Sequence, residues 1–351
     1  MKTIVIVGAG ATLAESIPSR TPRIKLPPLD KTFFELCRLA KLPGRRLVKQ
    51  YMFDNYGIDP FSGSYRMEEI FNYIYSDAFS ENSPPNCLNA YWALLQMYAM
   101  AIARTTNRLS GTGRFGVGAL LRYLWQSDPR GQLTIITFNQ DLLIEKALDV
   151  MALTTKYSDI PWNLEHTYGI SFIQFGELPG RKEKFRISGE ESVIILKLHG
   201  SLNWFYSVRS GSDPSNSIRS PSRQLHCINN KAILDKLRYR PRSRWTALVP
   251  LIVPPIYEKA SRYQQAIGPI WHKASLAIEM AERVVVFGYS FPDTDFASRS
   301  LFRRSFHRNR RIEELSVIDT DPNASAKIGL LGGTKVTHHY LNVQMFIKSF
   351  H

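Results

Sequence analysis

Thr3-Ile4-Val5-Ile6-Val7-Gly8-Ala9-Gly10-Ala11-Thr12 is the stretch that decides the fold. Five β-branched residues in a row read as a strand buried on both faces, and Gly8-Ala9-Gly10 ends it in a tight turn. Small residues there let the backbone approach a diphosphate, while the next helix N-terminus offers free N–H groups. The third glycine of a dinucleotide fingerprint is replaced by Leu13. Taken alone, the turn therefore fits a nucleotide site and a plain tight turn equally.

Working outward, comparable short apolar runs recur at Leu133 to Phe138, Val193 to Leu198, Val284 to Phe287 and Leu315 to Asp319. The first is followed by a helical pattern over Asp141 to Met151, giving the strand, turn, helix order of an α/β protein. The expected fold is a Rossmann-like parallel sheet with helices on both faces. Between residues 31 and 124 the pattern is mainly helical, as in Tyr91 to Leu109, where Ala, Leu and Met are frequent and Gly and Pro are missing. That block reads as a helical subdomain inserted into one domain spanning 1–351. Residues 207–223, rich in Ser, Arg, Gly and Pro, read as a mobile loop.

Hydrophobic residues at 44% and aromatics at 12% exclude a disordered chain. Cys37, Cys87 and Cys227 are too few and too scattered for a disulfide framework or a zinc-ligand pair. With no signal-peptide layout and no apolar run of about 18 residues, the expected location is the cytoplasm, with no membrane contact. The net charge of +15 gathers in 20–49, 209–244 and 299–311. Such patches fit direct nucleic-acid contact, a solvated surface, or an interface with an acidic partner. No recognisable nucleic-acid module accompanies them.

Chemistry-bearing residues fall at strand ends. Thr137-Phe138-Asn139-Gln140-Asp141 supplies an amide and a carboxylate where open α/β sheets bind ligands, although either residue would equally serve as a helix cap. Lys197-Leu198-His199-Gly200 puts a histidine at another strand end, and a purely structural histidine would fit there too. A literal G-x-G-x-x-G at Gly111, Gly113 and Gly116 follows a helix instead of a strand and is read as a helix-helix loop. Gly288-Tyr289-Ser290-Phe291-Pro292 imitates a nucleophile elbow, with His307, His338 or His339 as a base, but Pro292 replaces the second glycine.

In order, Gly8 to Thr12, Thr137-x-Asn139-x-Asp141, His199-Gly200, Gly288-x-Ser290 and Ile318-Asp319 resemble the sirtuin NAD-binding domain. More closely, Lys197 to Trp204 and Gly288-Tyr289-Ser290-Phe291-Pro292-x-x-Asp295 are similar to the sirtuin-like NAD hydrolases of bacterial antiphage defence. The resemblance implies that Gly8, Ala9, Gly10, Ala11 and Thr12 cradle the diphosphate of NAD. It implies that Asn139 orients a water or the nicotinamide ribose, Asp141 holds the nicotinamide end, and His199 contacts the ribose hydroxyls and acts as base. Gly288 and Ser290 would line the phosphate and ribose side. Asp319 would stand near the adenosine ribose, where sirtuins more often place Asn.

The two cysteine pairs of the deacetylase zinc ribbon are absent from the sequence, which argues against deacetylation. Phe175-Gly176-Glu177-Leu178-Pro179 resembles another sirtuin segment but precedes His199 instead of following it, and is read as chance. The expected activity is hydrolysis of NAD, as substrate and without a metal, to nicotinamide and ADP-ribose, in an antiphage effector. The alternative is a non-catalytic NAD or ADP-ribose module that docks a nucleic-acid-sensing partner. By the same analogy a homo-oligomer is expected, with a regulatory partner such as a HerA-type ATPase or an Argonaute-like protein.

Overall fold

The structure is a computed structural model. It describes residues 1–16, 26–63, 65–129, 131–154, 160, 162, 164, 167–170, 172, 174–176, 193–208, 225–228, 247–256, 260–292, 295–332 and 338–349. Strand β1 (Lys2–Val7) leads into α1 (Ala9–Ser16). Helices α2 (Phe33–Leu39), α3 (Arg45–Tyr56), α4 (Met67–Ala78), α5 (Cys87–Thr106) and α6 (Val117–Ser127) then precede β2 (Gln132–Thr137) and α7 (Leu143–Ala152). The middle of the chain carries β3 (Gln174–Gly176), β4 (Val193–Lys197), β5 (Gly200–Val208), β6 (Leu225–Ile228) and β7 (Ala247–Ile252). The last part runs α8 (Ala260–Glu279), β8 (Arg283–Phe287), α9 (Phe296–Arg308), β9 (Glu314–Ile318), α10 (Asn323–Gly332), β10 (His338–Tyr340) and α11 (Val343–Lys348).

Six strands form one parallel sheet in the order β10-β9-β8-β1-β2-β4. From β1 the chain steps outward through β2 to β4, returns to β8 on the other side of β1, and steps outward again to β10. This is the doubly wound order, and its direction reverses between β1 and β8, where such sheets open a ligand crevice at their carboxyl ends. The register sets Val5 opposite both Ile135 and Val285, and all three are fully buried. Burial on both faces is why these strands read as unbroken apolar runs. Helices α6 and α7 pack together with α1 and α11 beside them, while α8, α9 and α10 pack in succession. Crossovers in opposite directions place these two groups on opposite faces of the sheet.

Helices α2, α3 and α4 pack around α5, whose described side chains are mostly buried. Phe33 and Phe71 meet Tyr98 of α5 edge-on, at centroid distances of 6.0 and 5.8 Å. Helix α3 ends where Gly57 turns left-handed at φ 68°, and its N–H caps the Phe53 carbonyl.

Two features differ from the sequence expectation. A second sheet, ordered β3-β6-β5-β7, is formed by strands on either side of β4 in the chain, with β5 antiparallel to both neighbours. The segment expected as a loop over 207–223 begins inside β5, because Ser207 and Val208 pair with Leu248 and Ala247 of β7. Its remainder lies outside the described residues, as do 177–179 of the sirtuin-like segment that begins at Phe175. Among the described residues, no helix is long and apolar enough to cross a membrane.

Candidate functional site

The carboxyl ends of β1, β2, β4, β8 and β9 converge on a cavity of about 370 Å³. Its wall includes Asn139, Asp141 and His199, together with Ala9, Gly10 and Thr12. Gly288, Ser290 and Asp319 complete the sequence-derived set that lines it. Gly8 and Ala11 lie behind this wall, both buried.

The two glycine turns are locked together by close backbone approach. Gly10 N–H donates to the Gly288 carbonyl at 2.9 Å, and Gly8 N–H donates to the Phe287 carbonyl at 3.0 Å. A Cβ on Gly8 would lie 2.5 Å from the Gly288 oxygen, and one on Gly10 would lie 2.9 Å from the Gly288 Cα. The glycines thus serve the junction of β1 with β8 whatever else they bind. Ala11 N–H is also engaged, by the Gly8 carbonyl at 3.0 Å. The N–H groups of Gly8, Gly10 and Ala11 are therefore all taken within the protein.

Asn139, Thr12 and Asp141 form a buried polar triangle. Asn139 Nδ2 donates to the Gly8 carbonyl at 2.9 Å and to Thr12 Oγ1 at 3.1 Å. Thr12 Oγ1 donates to Asp141 Oδ2 at 2.8 Å, and Asp141 Oδ1 accepts Leu143 N–H at 3.0 Å. Both Asn139 amide hydrogens are occupied, so its amide oxygen is the group available to a water or a ligand hydroxyl. Asp141 binds the first N–H of α7 and tethers α1, so its carboxylate is already committed to holding the site in shape.

His199 sits in the turn that ends β4 and opens β5. The turn is pinned by Leu198 N–H on the Thr137 carbonyl (2.9 Å), Val253 N–H on the His199 carbonyl (2.9 Å) and Trp271 Nε1–H on the Leu198 carbonyl (3.0 Å). Gly200 follows at φ 76°, where a Cβ would run into the Leu251 carbonyl oxygen. The His199 side chain is 12% exposed, and its Nε2 stands 3.8 Å from Asp295 Oδ2. Phe138 meets the imidazole edge-on at 5.1 Å and stacks on Tyr289 at 4.2 Å. Burial and the adjacent Asp295 push the Tyr289 phenol well above its ordinary pKa, so it stays protonated.

Asp319 N–H donates to the Tyr340 carbonyl at 3.0 Å, which ties the end of β9 to β10, and its Oδ1 accepts Asp321 N–H at 2.9 Å. Ser290 is exposed on the cavity rim. Helix α9 begins only at Phe296, capped by Asp295, so Ser290 lacks the sharp strand-to-helix turn of a nucleophile elbow. The G-x-G-x-x-G lies between α5 and α6. Its Gly113 N–H donates to Glu15 Oε1 at 2.7 Å, and a Cβ on Gly116 would collide with the same carboxylate.

Several contributors escape sequence reading. Tyr98, Ile102 and Thr106 of α5 wall the cavity, and Tyr98 OH donates to Gln140 Oε1 at 3.1 Å. Beneath it, the fully buried Lys197 ammonium donates to the Asp141 carbonyl and pairs with Glu145 Oε1 at 2.8 Å. Asp295 was visible only as the last residue of the Gly288 motif. Lys197 was signalled by a charge inside the apolar run Val-Ile-Ile-Leu-Lys-Leu.

No family model and no curated protein matches the chain. Among solved structures, the chain is similar to one described as the structural basis for the mechanism and regulation of Sir2 enzymes, at 11% identity and a TM-score of 0.41. That alignment covers 99% of this chain and 89% of the other.

Proposed function

We propose that this cleft takes NAD as substrate and hydrolyses its nicotinamide glycosidic bond, giving nicotinamide and ADP-ribose. The observation that carries the reading is convergence. The Asn139, His199, Gly288 and Asp319 motifs, far apart in sequence, line one cavity at the reversal point of a doubly wound parallel sheet. The motif resemblance to sirtuin-like NAD hydrolases supplies the substrate.

In this reading the diphosphate lies at the start of α1, and the nicotinamide ribose lies between Asn139 and His199. Cleavage of the bond from ribose C1′ to the ring nitrogen builds oxocarbenium character on the ribose. The bonding pair passes to the ring nitrogen, and nicotinamide leaves neutral. Water held by the Asn139 amide oxygen adds to C1′ and gives its proton to His199. A positioned base contributes on the order of 10² to 10⁴-fold. Asn139 is held by Gly8 and Thr12, so its dipole requires little reorganisation as charge develops. Asp141 acts by holding α1 and α7 together, not by touching the reacting atoms.

Chromatography of NAD incubated with the purified chain tests the reading: equal amounts of nicotinamide and ADP-ribose are expected. Intact NAD recovered from the complex would assign a binding module instead. On the same resemblance we place the chain as an NAD-depleting antiphage effector, assembled as a homo-oligomer and controlled by a second protein such as a HerA-type ATPase or an Argonaute-like protein. Phage challenge of cells carrying the His199→Ala form tests that role: protection should be lost with NAD depletion.

A further inference from the structure

The helical block holds a second cavity, of about 830 Å³, walled by α2 and by the loop that enters α4. Its volume lies within the range of small-molecule sites. Lys31, Arg38 and Arg66 bring three cations to it, and Glu35 supplies one opposing carboxylate. Lys31 and Arg38 are exposed, and among the described residues no ion pair engages either. Arg66 reaches Asp30 only at 4.0 Å. The rings of Phe34, Phe61 and Tyr65 share this lining. Phe34 is 3% exposed and meets Phe61 edge-on at 5.4 Å, which fixes the Phe61 ring, while Phe61 and Tyr65 remain half-buried and accessible.

Guanidinium groups bind phosphate through paired N–H donors, and accessible aromatic faces take up flat rings. A net positive cavity that offers both matches a ligand joining phosphate to a planar base. We propose that this cavity is a second ligand site, which takes a free nucleotide by its phosphates and its base. Its lining, confined to α2, Lys31 just before it and the loop entering α4, favours a single nucleotide over a strand, which needs a groove that follows the backbone. Residues 27–29, just before Lys31, wall the first cavity, so neighbouring stretches of one short segment line both sites. The proposal does not depend on NAD hydrolysis.

The test is calorimetric titration of the full chain with ATP and with inorganic tripolyphosphate, comparing the wild type with Arg38→Ala/Arg66→Ala and with Phe61→Ala. These side chains are exposed or half-buried, and circular dichroism confirms the folding of each variant. The expected result is that ATP binds more tightly than tripolyphosphate. The double variant should weaken ATP at least tenfold, and Phe61→Ala should weaken ATP more than tripolyphosphate. ATP affinity unchanged in the double variant would place any ATP elsewhere and overturn the proposal. Equal binding of ATP and tripolyphosphate would overturn the nucleotide assignment. A single-stranded oligonucleotide that binds through these residues while ATP does not would assign the surface to nucleic acid instead.

Discussion

His199 Nε2 stands 3.8 Å from Asp295 Oδ2, and this approach joins the turn after β4 to the N-terminus of α9. Asp295 is buried, caps α9 through Ser298 N–H at 3.3 Å, and lies 3.5 Å from the Tyr289 hydroxyl. A carboxylate so fixed places a negative charge beside the imidazole, beyond hydrogen-bond distance, where it would stabilise positive charge developing on the ring. In the proposed hydrolysis it is a positioning residue, because it would act through His199. Asp295→Asn keeps a capping side chain but removes the charge. We expect kcat for NAD hydrolysis to fall by roughly tenfold or more with KM little changed, and the thermal midpoint to hold. An unchanged kcat would remove Asp295 from the mechanism.

Gly288→Ala should destabilise the protein far more than Gly57→Ala. Both glycines have positive φ, 61° and 68°, so both substitutions carry a left-handed penalty of about 1–2 kcal/mol. At Gly57 nothing lies within 4 Å of the new Cβ, whereas at Gly288 it would fall on the Ala11 backbone nitrogen. Urea unfolding of the two variants measures the difference, and equal losses would refute the close-packed junction of β1 with β8.

Lys197→Met should cost about 3–5 kcal/mol, because it strands the buried Glu145 carboxylate. Tyr168 OH still donates to Glu145 at 2.8 Å, and Asn203 Nδ2 donates to Tyr168 at 3.0 Å, so the network is only partly dismantled. Adding Glu145→Gln should cost less than the sum of the single changes, measured as a double-mutant cycle in urea. Strict additivity would mean that the pair is not coupled.

His226 lies buried in β6, and burial lowers its pKa from the ordinary 6.5. The unfolded chain therefore takes up this proton at a higher pH than the folded one does. The stability tied to neutral His226 is fully present above pH 6.5 and is lost as pH falls below it. Between pH 7.5 and 5.5 as test conditions, about a unit on either side of that value, wild type should lose more unfolding free energy than His226→Gln. Equal losses would show that His226 does not contribute to acid sensitivity.

Five strands of the main sheet were legible to within a residue at each end, because their deep burial leaves short, largely apolar runs, broken only by residues such as Thr134 and Ser316. Most of the residues picked out from the sequence line the first cavity because they stand at or near the ends of those runs. Strand β10 was not, since His338, His339 and Tyr340 carry no apolar signal and are held by pairing with β9. The second sheet was hidden for a related reason: β3 has three residues and β6 four, too few to show a period. In β5, Leu202, Asn203, Trp204 and Phe205 are all buried, so alternation is lost there as well. Tyr98 entered the cavity wall through packing of α5, a relationship that local sequence around Asn139 does not carry.

Hydrolysis of NAD is read out by incubating the purified chain with NAD at neutral pH, at enzyme concentrations approaching that of NAD. Products are followed by chromatography beside His199→Ala and Asn139→Ala. Nicotinamide and ADP-ribose are expected from wild type and neither from the two variants, with folding and NAD binding retained. NAD left intact by the wild type, or released nicotinamide that both substitutions leave unchanged, would contradict it.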